Sequence, residues 1–224
     1  SNAWYERSAE EILPSGFKCP HCGGIHFEQE QDTLDGWFDS GSSHFVVLET
    51  QKKGHWPADV YLEGADQYRG WFQSSLLTAV GAKGEGAPYK MVLSHGWTVD
   101  GQGKAMHKSL GNAVAPEEVI EKYGADLLRL WVAASDYRVD VRVSDEIFKQ
   151  LSQAYLKIRN TARYILGNLN DFNPDEAVSA SEMSELDRWA ISRLNDLMAK
   201  VKKGYDDFEY HIVYHAIRNF CVVE

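Results

Sequence analysis

The feature that most constrains the fold is a pair of short apolar segments separated by a longer segment without proline. Residues 60–62 and 89–93 are rich in β-branched, aromatic or other apolar side chains, which is typical of short strands. Residues 67–80 between them predict a crossover helix. Together they predict a βαβ unit with parallel strands and a right-handed connection. Residues 45–48 are also apolar and predict another strand.

The later part of the chain predicts helices. Pro116 suits the first turn of a helix that ends near Gly124, and residues 125–134 predict the next one. Ser144 predicts the N-cap of a long helix, and residues 184–203 predict a further helix before a last one that reaches the end of the sequence. The long helix carries an apolar stripe at helical spacing, formed by Ile147, Leu151, Tyr155, Ile158, Ala162, Ile165 and Leu169. An α/β part therefore precedes an all-α helical bundle segment.

Composition limits the classes of function. Hydrophobic residues make up 44% of the sequence and include seven tryptophans, which is enough for a packed core. No apolar run approaches the roughly eighteen residues that a membrane span needs. The net charge of −10 argues against broad nucleic-acid binding, so a nucleic-acid partner would need a local basic face. Three cysteines, two of them in a Cys-x-x-Cys pair, suit a reducing compartment, and we expect the cytoplasm.

The first residues resemble the remnant of an expression tag, with the sequence SNA at residues 1–3. An apolar segment typical of a signal peptide does not follow, and the sequence ends within an apolar helical pattern. We therefore expect this chain to be a piece cut from a longer protein.

A glycine-flanked loop carries two lysines and a serine that could bind a polyphosphate. It is GQGKAMHKSLGN at residues 101–112, with Lys104, Lys108 and Ser109 as the candidate groups. Mobile ammonium groups stabilise a departing anion best when they engage it mainly in the transition state. The alternative is a solvated surface loop whose lysines have no ligand.

A second polar cluster follows the two predicted strands. Glu63, Gly64, Asp66 and Gln67 come directly after the first strand, and His95 follows the second. Ligands of open α/β sheets bind outside the carboxyl ends of the strands, so these residues are candidates for a binding site. Two structural alternatives stay open: Asp66 could cap a helix, and His95 could have a purely structural role.

Two further features have a functional and a structural interpretation. Cys19 and Cys22 have the spacing of half a zinc knuckle, for which His21 and His26 are local alternative ligands. The predicted long helix also carries four basic residues, which form either a nucleic-acid contact or a solvated face: Lys149, Lys157, Arg159 and Arg163.

Several segments, in this order, resemble the class I aminoacyl-tRNA synthetases, and among them the isoleucine enzymes most closely. They are DGWFDSGSSH at 35–44, YLEGADQYRGWF at 61–72, SHGWTVD at 94–100, the loop at 101–112 and YGADLLRLWVAASD at 123–136. The loop is similar to the KMSKS signature of that family, written here as AMHKS at residues 105–109. The resemblance implies the second half of a Rossmann-type nucleotide-binding catalytic domain, followed by helices of an anticodon-binding domain.

The resemblance also implies roles for the candidate residues. Lys108 and Ser109 would contact the leaving pyrophosphate, and Lys104 would partly compensate for Ala105, which stands where the family has its first lysine. Glu63, Gly64, Asp66 and Gln67 would hold the amino acid and its adenylate, with His95 at the border of that site. Trp37 and Trp71 resemble the aromatic walls of the pocket for an aliphatic side chain, with core packing as the alternative for each.

Domains and partners follow from the same resemblance. Residues 1–34 would be the tag remnant and a connector with the zinc knuckle, residues 35–143 the second half of the catalytic domain, and residues 144–224 the start of the anticodon-binding domain. The implied ligands are ATP, Mg²⁺, isoleucine and tRNA(Ile), with Zn²⁺ in a longer parent that would supply a second Cys-x-x-Cys. The alternatives are a valine or leucine enzyme, or a non-catalytic tRNA-binding module.

The sequence lacks a His-x-Gly-His motif, which in the family lies in the first half of the nucleotide-binding fold. We therefore expect the isolated piece to be inactive. We also expect self-association as a dimer, or a partly disordered N-terminal region, because strands that lose their neighbours leave an open sheet edge.

Overall fold

The computed structural model describes residues 2–51, 54–84 and 86–223, with the side chain of Lys108 excepted. The chain divides into two compact units. The first unit comprises Ser1–Ala58 and Tyr68–Lys90, and the second comprises Asp59–Gln67 and Met91–Glu224.

The first unit is built around two helices in close contact. Two one-turn helices, α1 (Ala3–Glu6) and α2 (Ala9–Ile12), precede α3 (Gly36–Gly41) and α4 (Trp71–Thr78). Asp35 caps α3, because its side chain accepts a hydrogen bond from the Trp37 N–H at 2.8 Å.

Gly41 explains why α3 and α4 can approach so closely. A Cβ at this position would lie 2.8 Å from atoms of Ser74, so a larger residue would push the helices apart. The hydroxyl of Thr78 donates to the Gly41 carbonyl oxygen at 3.1 Å. A side chain of α4 thereby satisfies a carbonyl at the end of α3.

The strand predicted at residues 45–48 is wrong. Phe45–Thr50 forms a π-helical segment that begins four residues after the last residue of α3. The N–H groups of Phe45 and Val46 donate back to the Ser42 carbonyl oxygen, so local hydrogen bonds continue the helical path. The β-branched composition of this segment does not override them, because strand propensity mostly reflects packing against neighbouring strands.

The predicted βαβ unit is present, with a broken crossover. Strands β1 (Ala58–Gly64) and β2 (Tyr89–His95) form a parallel two-stranded sheet. The helix predicted at residues 67–80 divides into a 3₁₀ turn at Ala65–Arg69, the helix α4, and a π-helical turn at Ala79–Lys83. Gly70 separates the first two with a backbone conformation outside the helical region (φ −127°, ψ −117°).

The second unit continues with a very short parallel sheet and two helices. Strands β3 (Thr98–Val99) and β4 (Val141–Arg142) pair in parallel. Helix α5 (Pro116–Tyr123) begins at its proline and ends at Gly124, whose φ of +89° favours glycine, as predicted. Helix α6 (Ala125–Ala134) follows directly, also as predicted.

Three long helices complete the second unit: α7 (Asp145–Gly167), α8 (Glu185–Asp206) and α9 (Tyr210–Val223). Ser144 caps α7 as predicted, since its hydroxyl accepts from the Ile147 N–H at 3.3 Å. Helix α9 packs against α6, α7 and α8. Among the described residues, no helix is both long and apolar enough to span a membrane.

The core of this unit lies where α5, α6 and the start of α7 meet. Phe148 is 1% exposed and packs with Val119 and Val143, and Met106 and Trp131 pack against this cluster. The buried residues of α7 are Phe148, Leu151 and Ala154. The predicted stripe contains Leu151 but neither Phe148 nor Ala154. Ile165 and Leu169, at the far end of the predicted stripe, are 50% and 48% exposed.

Candidate functional site

The lysine-bearing loop begins with a tight turn organised by Asp100. This residue follows β3, and its carboxylate oxygen Oδ1 accepts hydrogen bonds from the N–H groups of Gln102 and Lys104, both at 2.9 Å. The Asp100 N–H donates to the Lys104 carbonyl oxygen at 2.9 Å. Gly103 takes the positive φ of +82° that the turn requires. The turn therefore fixes the backbone of Lys104, whose side chain is exposed.

The second half of the loop is closed by Asn112. Its Oδ1 accepts from the His107 N–H at 2.9 Å, and its Nδ2 donates to the Ala105 carbonyl oxygen at 3.1 Å. The same Nδ2 donates to Oδ2 of Asp100 at 2.9 Å. One side-chain amide therefore joins both halves of the loop.

The predicted catalytic groups lie within this closed segment. Lys108 and Ser109 belong to the 3₁₀ turn Lys108–Leu110, which Gly111 ends with a φ of +65°. The hydroxyl-bearing side chain of Ser109 is exposed, whereas the side chain of Lys108 lies outside the described residues. The roles predicted for Lys104, Lys108 and Ser109 stay predictions.

The electrostatics of Asp100 suit its role in the turn. The hydrogen bond from Asn112, followed by those from the backbone of Lys104 and Gln102, lowers the pKa of this carboxyl below its usual value. The group is therefore an ionised acceptor at neutral pH.

The second candidate cluster lies at the carboxyl ends of β1 and β2, within the second unit. A Cβ on Gly64 would lie 2.4 Å from Asp66 Oδ1 and 3.3 Å from His95 Cε1. A side chain at position 64 would therefore displace the Asp66 carboxylate from its present place. The Glu63 carboxylate accepts from the Gly64 N–H at 3.0 Å, and Gln67 Nε2 donates to Asp66 Oδ2 at 3.0 Å.

The contacts of Asp66 and His95 bear on the structural alternatives for this cluster. Helix α4 begins at Trp71 with Gly70 at its N-cap position, so Asp66 does not cap it. His95 has its Nδ1 2.8 Å from the Gly96 carbonyl oxygen, and a hydrogen bond there requires the proton on Nδ1. In that tautomer Nε2 is an acceptor. The convergence of carboxylate, amide and imidazole groups at one sheet edge can bind an ammonium group and the polar part of a nucleotide.

The two candidate pocket tryptophans belong to the first unit. Trp71 is half-buried, and its indole N–H donates to the Ser40 carbonyl oxygen at 2.9 Å. Trp37 is 49% exposed on α3. Trp71 therefore has a structural role in holding α3 against α4, and its role in a pocket stays a prediction.

The cysteine pair has the local geometry of a metal-binding turn without a full ligand set. Hydrogen bonds from the backbone of Cys22, and then of His21, lower the pKa of the Cys19 thiol, which favours the thiolate that a metal requires. Zinc needs four ligands, and the described residues contain no group of three His, Cys, Asp or Glu side chains that could hold a metal. His21 and His26 thus do not complete a site with the pair. The predicted zinc site would need ligands from elsewhere.

The basic residues of α7 are exposed. Lys149 pairs with Asp145 at 2.9 Å across one helical turn, and Lys157, Arg159 and Arg163 lie on the exposed surface. Both interpretations, a nucleic-acid contact and a solvated face, remain compatible with this arrangement.

Asp100 and Asn112 organise this loop although sequence reasoning gave neither of them a role. Asp100 precedes the Gly-x-Gly sequence of residues 101–103, and an aspartate in a glycine-rich turn commonly accepts a hydrogen bond from the backbone two residues later. The bonds of Asn112 had no such signal, because they join residues up to twelve positions apart.

Comparison with known proteins assigns families to both parts of the chain. Residues 1–144 match the family described as tRNA synthetases class I (I, L, M and V). Residues 187–224 match the family described as the anticodon-binding domain of tRNA ligase. The predicted domain limits at residues 34 and 143 stay predictions.

Similar proteins include isoleucine–tRNA ligases of Syntrophotalea carbinolica and Geobacter sulfurreducens. Each is 58% identical over 225 residues, which cover 100% of this chain and 24% of the relative. A relative of the same name from Symbiobacterium thermophilum is 57% identical, again over 24% of its length. The chain therefore spans about a quarter of the length of these relatives.

Two solved structures share the fold at low sequence identity. A ternary LeuRS–tRNA–LeuAMS complex of Agrobacterium radiobacter K84 superposes with a TM-score of 0.75 and 22% identity, covering 92% of this chain and 28% of that chain. Mycobacterium tuberculosis methionyl-tRNA synthetase, in complex with methionyl-adenylate, gives a TM-score of 0.62 and 23% identity over 78% of this chain and 34% of that chain. These likenesses confirm the predicted fold class.

Proposed function

Because the chain belongs to the class I tRNA synthetases, in the group of I, L, M and V enzymes, we propose that it is part of an isoleucine–tRNA ligase. The longer protein would use ATP to activate isoleucine and would then transfer it to tRNA(Ile). The observation that carries this proposal is the 53–58% identity to isoleucine–tRNA ligases across the chain. The ordered turns that contain Lys104 and Lys108 agree with it.

Activation requires stabilisation of a leaving anion. A carboxylate oxygen of isoleucine attacks the α-phosphorus of ATP, the bond from that phosphorus to the oxygen bridging toward the β-phosphorus breaks, and pyrophosphate leaves with the electron pair. The ammonium groups of Lys108 and Lys104 and the hydroxyl of Ser109 would donate to its oxygens. Donors aimed at charge that develops in the transition state contribute the most to catalysis.

The strand-end cluster would hold the amino acid and the adenylate. The carboxylates of Glu63 and Asp66 suit the α-ammonium group of isoleucine, and Gln67 supplies both a donor and an acceptor. Gly64 leaves room for the ligand's close approach, and His95 would border the adenylate. Trp37 and Trp71 would supply apolar contacts to the aliphatic side chain.

Metals enter this proposal in a limited way. Mg²⁺ would bind chiefly through the phosphates of ATP, and Zn²⁺ through Cys19 and Cys22 with ligands from outside this chain. The described residues contain no group of three potential metal ligands, so no catalytic step is assigned to either ion.

The isoleucine assignment has specific support over valine or leucine. The relatives at 53–58% identity are isoleucine enzymes, whereas the similar LeuRS structure is 22% identical. An apolar pocket separates substrates that differ by one methylene by only about 1–3 kcal/mol, so valine would be a weaker substrate rather than an excluded one.

The test is amino-acid-dependent exchange of labelled pyrophosphate into ATP by the full-length protein that contains this chain. We expect isoleucine to support exchange with a kcat/KM roughly ten- to two-hundredfold above that of valine, and above that of leucine. A preference for valine or leucine would contradict the assignment. Absence of exchange with every amino acid would contradict an activating enzyme altogether.

A further inference from the structure

The frame that holds the lysine-bearing loop is a clasp between two side chains that the reaction scheme does not use. We define the clasp as Asp100 and Asn112. Asp100 holds the turn that carries Lys104, and Asn112 holds the ends of the segment that carries Lys108. The bond from Asn112 Nδ2 to Asp100 Oδ2, at 2.9 Å, joins the two.

The amide of Asn112 fits this place in one orientation. Its oxygen faces the N–H of His107, and its nitrogen faces the carbonyl oxygen of Ala105 and the carboxylate of Asp100. A reversed amide would oppose donor to donor at His107 and acceptor to acceptor at the other two contacts. An aspartate at position 112 would place a carboxylate oxygen against the Ala105 carbonyl oxygen and the Asp100 carboxylate, where a donor is needed.

The clasp is anchored to rigid structure at its base. Asp100 follows Val99, which is 7% exposed, pairs with Arg142 across the β3–β4 sheet, and bridges to Ala105. The Val143 N–H donates to the Val99 carbonyl oxygen at 2.9 Å. Met106, just inside the loop, packs against the core cluster around Phe148.

This geometry gives the clasp a specific consequence. It closes a ring from Ala105 to Asn112 around the 3₁₀ turn that contains Lys108 and Ser109, so the backbone at these residues samples fewer conformations. Catalytic donors that are held in place before reaction are more effective, and a misplacement of about 1 Å can cost on the order of a hundredfold in rate.

We propose that Asp100 and Asn112 are positioning residues that set the backbone of both lysine-bearing turns for transition-state contact with pyrophosphate. This inference rests on the proposed function for its kinetic consequence. The amide contacts of the clasp can be tested separately from it.

The experiment compares Asn112→Ala with Gln102→Ala in the full-length protein. Gln102 lies in the same loop and contributes its backbone N–H, which alanine retains, so its substitution is the matched control. Asp100→Asn is a second clasp variant that keeps the size of the side chain. If its amide oxygen keeps the bonds from the backbone of Gln102 and Lys104, its NH₂ group faces the NH₂ group of Asn112, and the bond between the two side chains is lost.

The first readout is hydrogen exchange at individual backbone amides. We expect Asn112→Ala to accelerate exchange at the His107 amide at least about tenfold while the midpoint of global unfolding stays that of the wild type. Unchanged exchange at His107 would overturn the clasp itself. This result is independent of any enzymatic activity.

The second readout is the kinetics of isoleucine-dependent pyrophosphate exchange. We expect Asn112→Ala and Asp100→Asn to lower kcat about ten- to a hundredfold and to leave the KM for isoleucine within about twofold, because the loop acts on the transition state. Gln102→Ala should match the wild type. A faster His107 amide with an unchanged kcat would overturn the positioning role. A wild-type protein without exchange activity would overturn the proposed function, while the amide comparison would still decide on the clasp.

Discussion

At the scale of the residue, small and polar side chains explain more of the candidate site than large ones do. Gly64 allows Asp66 and His95 to converge at the ends of two strands, and Asn112 joins the two halves of the loop. Both effects depend on the folded backbone. The sequence predicted which residue types carry chemistry, but it could not predict the side-chain bonds of Asn112, because they form only after residues 100, 105 and 107 are brought together.

Substitution of Gly64 tests the strand-end cluster. A Cβ there would lie 2.4 Å from Asp66 Oδ1, so we expect Gly64→Ala to displace Asp66 and to lower kcat/KM for isoleucine by about tenfold or more. Gly81→Ala is the matched control, since a Cβ there meets nothing within 4 Å. Pyrophosphate exchange by the full-length protein checks both variants. Equal activity of Gly64→Ala and wild type would remove this cluster from the site.

Burial of His44 predicts a pH dependence in the first unit. This imidazole is 5% exposed, with Nε2 3.4 Å from the Thr78 hydroxyl, and burial lowers its pKa, an effect that Glu49 opposes and Lys83 adds to. The unfolded chain then binds the proton first, so stability is full above a pH of about 6.5 and decreases as the pH falls below that value.

An NMR titration checks this expectation directly. We expect the ring of His44 to titrate below its usual pKa and the urea midpoint of the wild type to fall between pH 7.5 and 5.5. His44→Gln should reduce that fall, whereas His21→Gln, at an exposed position, should not. A normal pKa for His44 would contradict the effect of burial.

At the scale of the element, the structure confirms the predicted boundaries of three helices and two of the three predicted strands. Pro116, Gly124 and Ser144 mark boundaries through local backbone chemistry, and the structure places helix ends at each of them. The segment Phe45–Thr50 has strand-like composition but takes a π-helical path set by its connection to α3. Strands of two residues, such as β3, carry too little pattern to be predicted from sequence.

The cap of α7 gives an expectation for stability. Ser144 accepts from the Ile147 N–H at 3.3 Å at the start of the helix whose Phe148 fills the core. We expect Ser144→Ala to lower the free energy of unfolding by about 1 kcal/mol. Gln153→Ala, on the exposed face of the same helix, should change it by less than about 0.5 kcal/mol. Equal urea midpoints for the two variants would show that the cap contributes nothing.

At the scale of the whole molecule, several large apolar side chains on the long helices are exposed. Tyr164 is 75% exposed and Leu166 68% near the end of α7, and Leu186 at the start of α8 is 71% exposed. Large exposed apolar surfaces favour association, as do sheet edges without a neighbouring strand. The number of exposed apolar side chains could not be predicted. The helical spacing of apolar residues in α7 does not show at which residue this helix stops packing against the rest of the fold.

Self-association of this chain remains a proposal with a direct test. We expect light scattering to show a concentration-dependent increase in mass, and the double substitution Leu166→Lys with Leu186→Lys to reduce it. Gln153→Lys, on the exposed face of α7, is the control. A monodisperse monomer at every concentration would contradict the expectation.

Substitution of Lys108 probes the proposed contact between the lysine-bearing loop and departing pyrophosphate. In the full-length protein we expect Lys108→Ala to reduce the kcat of isoleucine-dependent pyrophosphate exchange by about a hundredfold or more, with the KM for isoleucine nearly unchanged. Lys202→Ala, at an exposed position of α8, should retain wild-type exchange. Undiminished exchange by Lys108→Ala would show that this lysine does not stabilise the leaving pyrophosphate.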